Sequence, residues 1–153
     1  EEIKRHMNYQ IISHDKTNQL RHVKFFRDLK GVKAHMMKHA AIMRPKFERV
    51  VSVLEKELGG LGIGSWTMPK GGYFISFDAL PGCARAIVAK AKEAGLVMTG
   101  AGATYPYRKD PEDSNIRIAP SFPTLEELEV AADIFVLSVK LVSLDKLLKN
   151  GFN

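Results

Sequence analysis

The sequence predicts an α/β fold of α+β character: a small sheet of about four strands covered by helices, with one long helix toward the N-terminus and another at the C-terminus. Three observations predict it. Residues 1–58 contain a single glycine, Gly31, and carry apolar residues at helical spacing. The period then changes to two at Tyr73–Asp78 and again at Asn115–Ala119. Finally, Thr124-Leu125-Glu126-Glu127 reads as a capping box that opens a helix running to about Lys149.

Taken in order, residues 16–29 place Leu20, Val23, Phe26 and Leu29 three apart, an amphipathic helix that Asp15 or Thr17 caps and Gly31 breaks. From Val32 to Leu58 a second stripe passes through Met36, Met43, Phe47, Val50, Leu54 and Leu58. Pro45 lies inside it and should kink the helix or begin a new one, because its ring blocks the backbone bond to residue 41. Gly59, Gly60 and Gly62 end the stripe. Ser65–Met68 is a short strand, Pro69–Gly72 a turn, and Tyr73–Asp78 a strand with Tyr73, Ile75 and Phe77 on one face. Cys83–Ala94 is a helix with Ala84, Ile87, Val88 and Ala91 inward, stopped by Gly95. Leu96–Thr99 is a short strand, followed by a glycine-rich loop. Asn115–Ala119 is the last strand, with Ile116 and Ile118 on one face and Asn115 and Arg117 on the other.

At 153 residues, 45% apolar and 26% charged, the chain suits a single hydrophobic core. No apolar run approaches the roughly 20 residues of a membrane span, and neither a signal peptide nor a lipidation site is expected. The lone cysteine, Cys83, can form no internal disulfide, which points to a cytoplasmic setting. The net charge of +6 is uneven: residues 1–50 hold 12 Lys+Arg against 5 Asp+Glu, a local +7. No aromatic or glycine motif of a nucleic-acid reader accompanies it, so a solvated helix surface or a face toward a partner domain is expected rather than nucleic-acid binding.

Arg117 is the candidate of most interest. Projecting from the strand face opposite two isoleucines, its planar fork suits bidentate binding of a carboxylate or phosphate; a plain surface arginine fits the pattern equally well. Gly71-Gly72-Tyr73 reads first as a hairpin turn with glycines at positive φ, and second as backbone passing close to a ligand. The glycines of Thr99–Thr104 lack the spacing of a phosphate loop and read as a close-packed lining. His35 and His39, four apart, read as a helical surface pair rather than a metal site, since no third ligand accompanies them. Met36, Met37 and Met43 should fill a core or a domain interface. Cys83, with no base partner, reads as a small buried residue.

Several of these segments together resemble the C-terminal part of fold-type I, class I/II, pyridoxal-phosphate (PLP) dependent aminotransferases. The carrying stretches are residues 66–81 (WTMPKGGYFISFDALP), 94–106 (AGLVMTGAGATYP) and 115–123 (NIRIAPSFP). Residues 15–22 (DKTNQLRH) and 37–47 (MKHAAIMRPKF) look like the subgroup related to the aminotransferase domains of MocR-type regulators. The resemblance implies that Arg117 pairs with the substrate α-carboxylate, and that Gly71, Gly72 and Tyr73 lie near the mouth of the active site. It implies an interdomain connection over residues 1–45 and a small domain over 46–153.

It also implies what lies elsewhere. The Schiff-base lysine, the aspartate facing the pyridine nitrogen and the phosphate-binding residues belong to an N-terminal PLP domain. This chain alone is then expected to be inactive, to bind no PLP by itself, and to hold no catalytic residue and no metal. The parent is expected to be a homodimeric, cytoplasmic transaminase acting on an amino acid and a 2-oxo acid, with no nucleic-acid or membrane partner. The alternative is a ligand-sensing aminotransferase-like module of a MocR-type transcription regulator.

Overall fold

The structure, a computed structural model, describes residues 1–11 and 14–151; Ile12, Ser13, Phe152 and Asn153, which the expected domain spans include, lie outside the described residues. Two compact units divide between Ala41 and Ile42.

The first unit holds helices α1 (Glu2–Gln10) and α2 (Lys16–Phe26) and the start of α3 (Leu29–Leu58). Asp15 caps α2 as expected, accepting the Asn18 N–H at 2.9 Å. The break after α2 comes earlier than Gly31. Arg27 turns the chain at φ 64°, and Asp28 accepts the Gly31 N–H at 2.8 Å, capping α3. Gly31 therefore sits inside the first turn of α3 rather than ending a helix. Its need for glycine is steric: a Cβ there would stand 1.8 Å from the Phe26 carbonyl oxygen. No residue of α1 or α2 is buried.

The second unit holds the rest of α3, then β1 (Gly64–Trp66), β2 (Ile75–Ala79), α4 (Ala84–Glu93), β3 (Asn115–Ile118) and α5 (Leu125–Gly151). Of the two outcomes expected at Pro45, a new helix does not begin there; α3 is one element through it. The proline costs about 3 kcal/mol. Burial of Val50, Val51, Leu54 and Leu58 beyond it, each contributing about 1.5–3 kcal/mol, offsets that loss.

The sheet has three antiparallel strands in the order β1-β2-β3, one fewer than expected. Register sets Ile75 opposite Ile118, Ser76 opposite Arg117, Phe77 opposite Ile116 and Asp78 opposite Asn115. The missing fourth strand is Leu96–Thr99. The Leu96 N–H turns back to the Ala91 carbonyl at 2.9 Å, and the loop beyond the segment meets the β3 backbone through a long bond from the Gly102 N–H to the Asn115 carbonyl, 3.4 Å. The stretch is an unpaired connection beside the sheet, not a ladder member.

One face of the sheet builds the core. Ile75, Phe77, Ala79 and Ile116 bury against Leu54 and Leu58 of α3, Ile87 of α4 and Phe135 and Val139 of α5. Phe77 stacks with Trp66 at 6.1 Å and meets Phe135 edge-on at 5.1 Å. The capping box forms: the Thr124 N–H donates to Glu127 Oε2 at 2.8 Å, and the Glu127 N–H to Thr124 Oγ1 at 3.2 Å. Cys83 is buried, and burial pushes its thiol pKa up. Met36 and Met37 stand exposed and so fill no core of this chain. No helix among the described residues is long and apolar enough to cross a membrane.

Candidate functional site: a cleft around Arg117

Strand pairing positions Arg117. Ile116 is sealed in the core, so the alternation of β3 sends Arg117 to the other face of the sheet, where Ser76 is its cross-strand partner. On that face the guanidinium lies over the Phe74 ring, 4.4 Å from Cζ to the centroid, a cation–π contact. Nη2 makes a long contact of 3.5 Å with Thr99 Oγ1. Nε is buried and makes no hydrogen bond. Among the described residues no carboxylate forms an ion pair with Arg117. An oriented arginine fork with spare donors is suited to receiving a planar anion.

Arg117 and Thr99 also line a cleft of about 210 Å³ whose other walls are apolar, among them Val50 and Leu54 of α3, Val97, Met98, Pro120 and Phe135. Complete small-molecule sites run to roughly 300–1,000 Å³, so this cleft is smaller than such a site. Lys46 shapes its rim by donating to the carbonyls of Ser121 at 2.8 Å and Pro123 at 2.5 Å.

The hairpin residues are placed differently from Arg117. Gly72 has φ 87°, which the turn between β1 and β2 requires, and open space surrounds the Cβ positions of both Gly71 and Gly72. Tyr73 is 59% exposed. It is the next residue, Phe74, that this hairpin brings to Arg117. Sequence reasoning missed Phe74 and Thr99 as well as Asn115. The alternation that placed Phe74, Ser76 and Asp78 on one face could have found Phe74; nothing local could have found Thr99.

Asn115 ties the surrounding loops together. Its Nδ2 donates to Ser76 Oγ at 2.8 Å and Asp78 Oδ1 at 2.7 Å, and its Oδ1 accepts from the Thr104 hydroxyl at 2.6 Å. Its own N–H donates to Asp110 Oδ2 at 2.8 Å. Asp110 also accepts the N–H groups of Ser114 and Glu112, at 2.8 and 3.0 Å. These backbone bonds, Asn115's first, hold the Asp110 carboxyl below its ordinary pKa.

His35 and His39 face each other on α3 with their Nε2 atoms 3.1 Å apart. No group of three or more His, Cys, Asp or Glu able to hold a metal ion occurs among the described residues.

Known proteins share this framework. The chain matches the family model described as aspartate amino-transferase over residues 1–151. It is 51% identical over 128 residues to the aspartate aminotransferase of Corynebacterium glutamicum, a match covering 84% of this chain and 30% of that protein. The solved structure of an aspartate transaminase from C. glutamicum superposes with a TM-score of 0.86 at 48% identity, over 92% of this chain and 33% of that one. An alpha-aminoadipate aminotransferase of Thermus thermophilus, at 17% identity and a TM-score of 0.63 over 73% of this chain and 28% of its own, shares the fold. The chain thus spans about a third of the length of the relatives it matches. With a whole-length family match and about half its residues shared with C. glutamicum relatives of the same arrangement, the chain belongs to the aspartate amino-transferase family.

Proposed function

We propose that this chain is the C-terminal, substrate-carboxylate-binding part of a PLP-dependent, fold-type I aminotransferase, and that Arg117 grips the α-carboxylate of the amino acid and of the 2-oxo acid. The observation that carries the reading is the Arg117 guanidinium: steadied by Phe74 and Thr99, free of any protein carboxylate among the described residues, with Nε buried and unpaired. A bidentate clamp at that point fixes the substrate's orientation, so its Cα–H bond is presented in one direction to the catalytic base. Gly71, Gly72 and Tyr73 are then rim residues of the same mouth. The name of the C. glutamicum relative favours aspartate as a substrate.

PLP is the cofactor this reading assigns to the full-length protein; the T. thermophilus relative is described in complex with N-(5'-phosphopyridoxyl)-L-leucine. When bound it supplies an electron sink. The residues of this chain do not fit it unaided. Among the described residues Arg117 is the one charged side chain lining the cleft, with no lysine for an imine and no carboxylate for the pyridine nitrogen. The chain by itself is therefore inactive on this reading, and residues 1–45 connect the absent PLP domain to the small domain at 46–153. Homodimerisation is part of the proposal. It is supported by apolar side chains such as Val23, Phe25, Met36 and Met37, each more than 60% exposed in the first unit. A cytoplasmic location is supported by the single free, buried Cys83. A regulator of the MocR type would instead carry a helix-turn-helix domain in the same reading frame; the names of the relatives favour the enzyme.

The test is Arg117→Ala in the full-length enzyme. Removing one member of a desolvated charge pair costs about 2–5 kcal/mol. The KM for both the amino acid and the 2-oxo acid should therefore rise about 30-fold or more. Unchanged KM values would reject the assignment.

A further inference from the structure

Asp78 poses a problem for an arginine that must stay open to a ligand. It shares the Arg117 face of the sheet, opposite Asn115 and one diagonal step from Arg117. Diagonal cross-strand neighbours lie about 7–8 Å apart at the backbone, within reach of a long side chain. An Asp78–Arg117 ion pair is therefore sterically available, yet the structure does not form it. The Asp78 carboxylate is instead held by Asn115, whose Nδ2 donates to Asp78 Oδ1 at 2.7 Å and to Ser76 Oγ at 2.8 Å.

Asn115 is suited to this. It is 7% exposed, and its amide is committed on both sides, since Oδ1 accepts the Thr104 hydroxyl at 2.6 Å. Its main chain is fixed too: the N–H goes to Asp110 and the carbonyl accepts from Gly102. The amide cannot rotate away from Asp78 without breaking the bond to Thr104. The same contacts anchor the loop that follows Thr99, the residue that meets Arg117 Nη2.

Resting on the assignment of Arg117 as the carboxylate site, we propose that Asn115 is a positioning residue that keeps Arg117 available: it retains the Asp78 carboxylate and so prevents an internal ion pair from competing with the substrate. Its role is separate from the grip itself. On this proposal Asn115, whose side-chain amide is committed to Ser76, Asp78 and Thr104, acts through Asp78.

The experiment uses full-length holoenzyme with L-aspartate and a 2-oxo acid, comparing wild type, Asn115→Ala, Asp78→Asn, the double variant, and Arg117→Ala as reference. An exposed or partly exposed Asp–Arg pair is modest, so Asn115→Ala should raise the KM of both substrates roughly two- to fivefold while kcat changes little. Adding Asp78→Asn removes the competitor and should return the KM most of the way to wild type. A purely structural role for Asn115 would give no such rescue. If Asn115→Ala does not fold, Asn115→Ser, whose hydroxyl is too short to hold Asp78 in the same way, replaces it in the same cycle. An unchanged KM in the Asn115 variant, or a raised KM that Asp78→Asn fails to lower, overturns the proposal while leaving Arg117 in place. An unchanged KM in Arg117→Ala removes the carboxylate assignment and this inference with it.

Discussion

Asp110 shows how much of this site rests on a residue with no motif to announce it. Its carboxylate gathers the N–H groups of Glu112, Ser114 and Asn115 and so closes the loop back onto the start of β3. The folded pKa is lowered, so the stabilisation is present above the ordinary aspartate value of about 3.9 and is lost as pH falls through it toward the folded value. Asp110→Asn keeps the shape but loses the charge and turns one accepting oxygen into a donor; it should cost about 1–2 kcal/mol at pH 7. Urea midpoints at pH 7 and pH 3 check this: the gap between wild type and variant should shrink at pH 3, and a gap independent of pH would contradict the assignment. In the sequence Asp110 is one polar residue among several before a strand, and no local pattern marks it out. Arg117 was legible, because two isoleucines around it betray the strand's alternation. Of its neighbours, Phe74 lay within reach of the same kind of alternation in β2, whereas Thr99 arrives through loop closure, which no local pattern encodes.

Among the elements, the helices followed their periodicity and their ends did not always follow the glycines. Gly31 looked like a helix stop. It is instead a contact point, where the end of α2 crosses the start of α3 and the Phe26 carbonyl occupies the space a side chain would need. Asp28, three residues earlier, supplies the helix start that the glycine seemed to deny. Gly31→Ala should therefore open this corner at about 1–3 kcal/mol, the usual range for overpacking. Because α1 and α2 bury nothing, the damage should stay local. Hydrogen exchange should show lost protection in α2 with the amides of β2 and β3 unaffected; wild-type protection in α2 would count against the steric reading. The strand expected at Leu96–Thr99 failed for a different reason. Four residues of apolar, β-prone sequence are compatible with a strand, but whether they enter a ladder depends on how α4 ends, and the turn of Leu96 back onto Ala91 takes the segment out of register. The capping box at Thr124 was read correctly because both of its bonds are local.

For the whole molecule, class and order of elements were visible in composition and period, while the coverage of surfaces was not. The core belongs to the second unit, around Phe77, Leu54 and Ile116. Outside it, α5 carries a row of half-exposed leucines, Leu137, Leu141, Leu144 and Leu148, opposite its buried face. A helix apolar on two sides is made to be covered on both, and a chain that spans about a third of its relatives' length leaves room for that cover to come from the rest of the protein. The function proposed here divides in the same way: this portion grips a carboxylate, and the chemistry is done by groups beyond it. The most direct test of that division compares L-aspartate with its α-amide as substrates of the full-length enzyme, for wild type and Arg117→Lys. Wild type should strongly prefer the free α-carboxylate, and Arg117→Lys, which keeps the charge but loses the fork, should reduce that preference about tenfold or more. Equal discrimination by the two proteins would show that the α-carboxylate is held elsewhere.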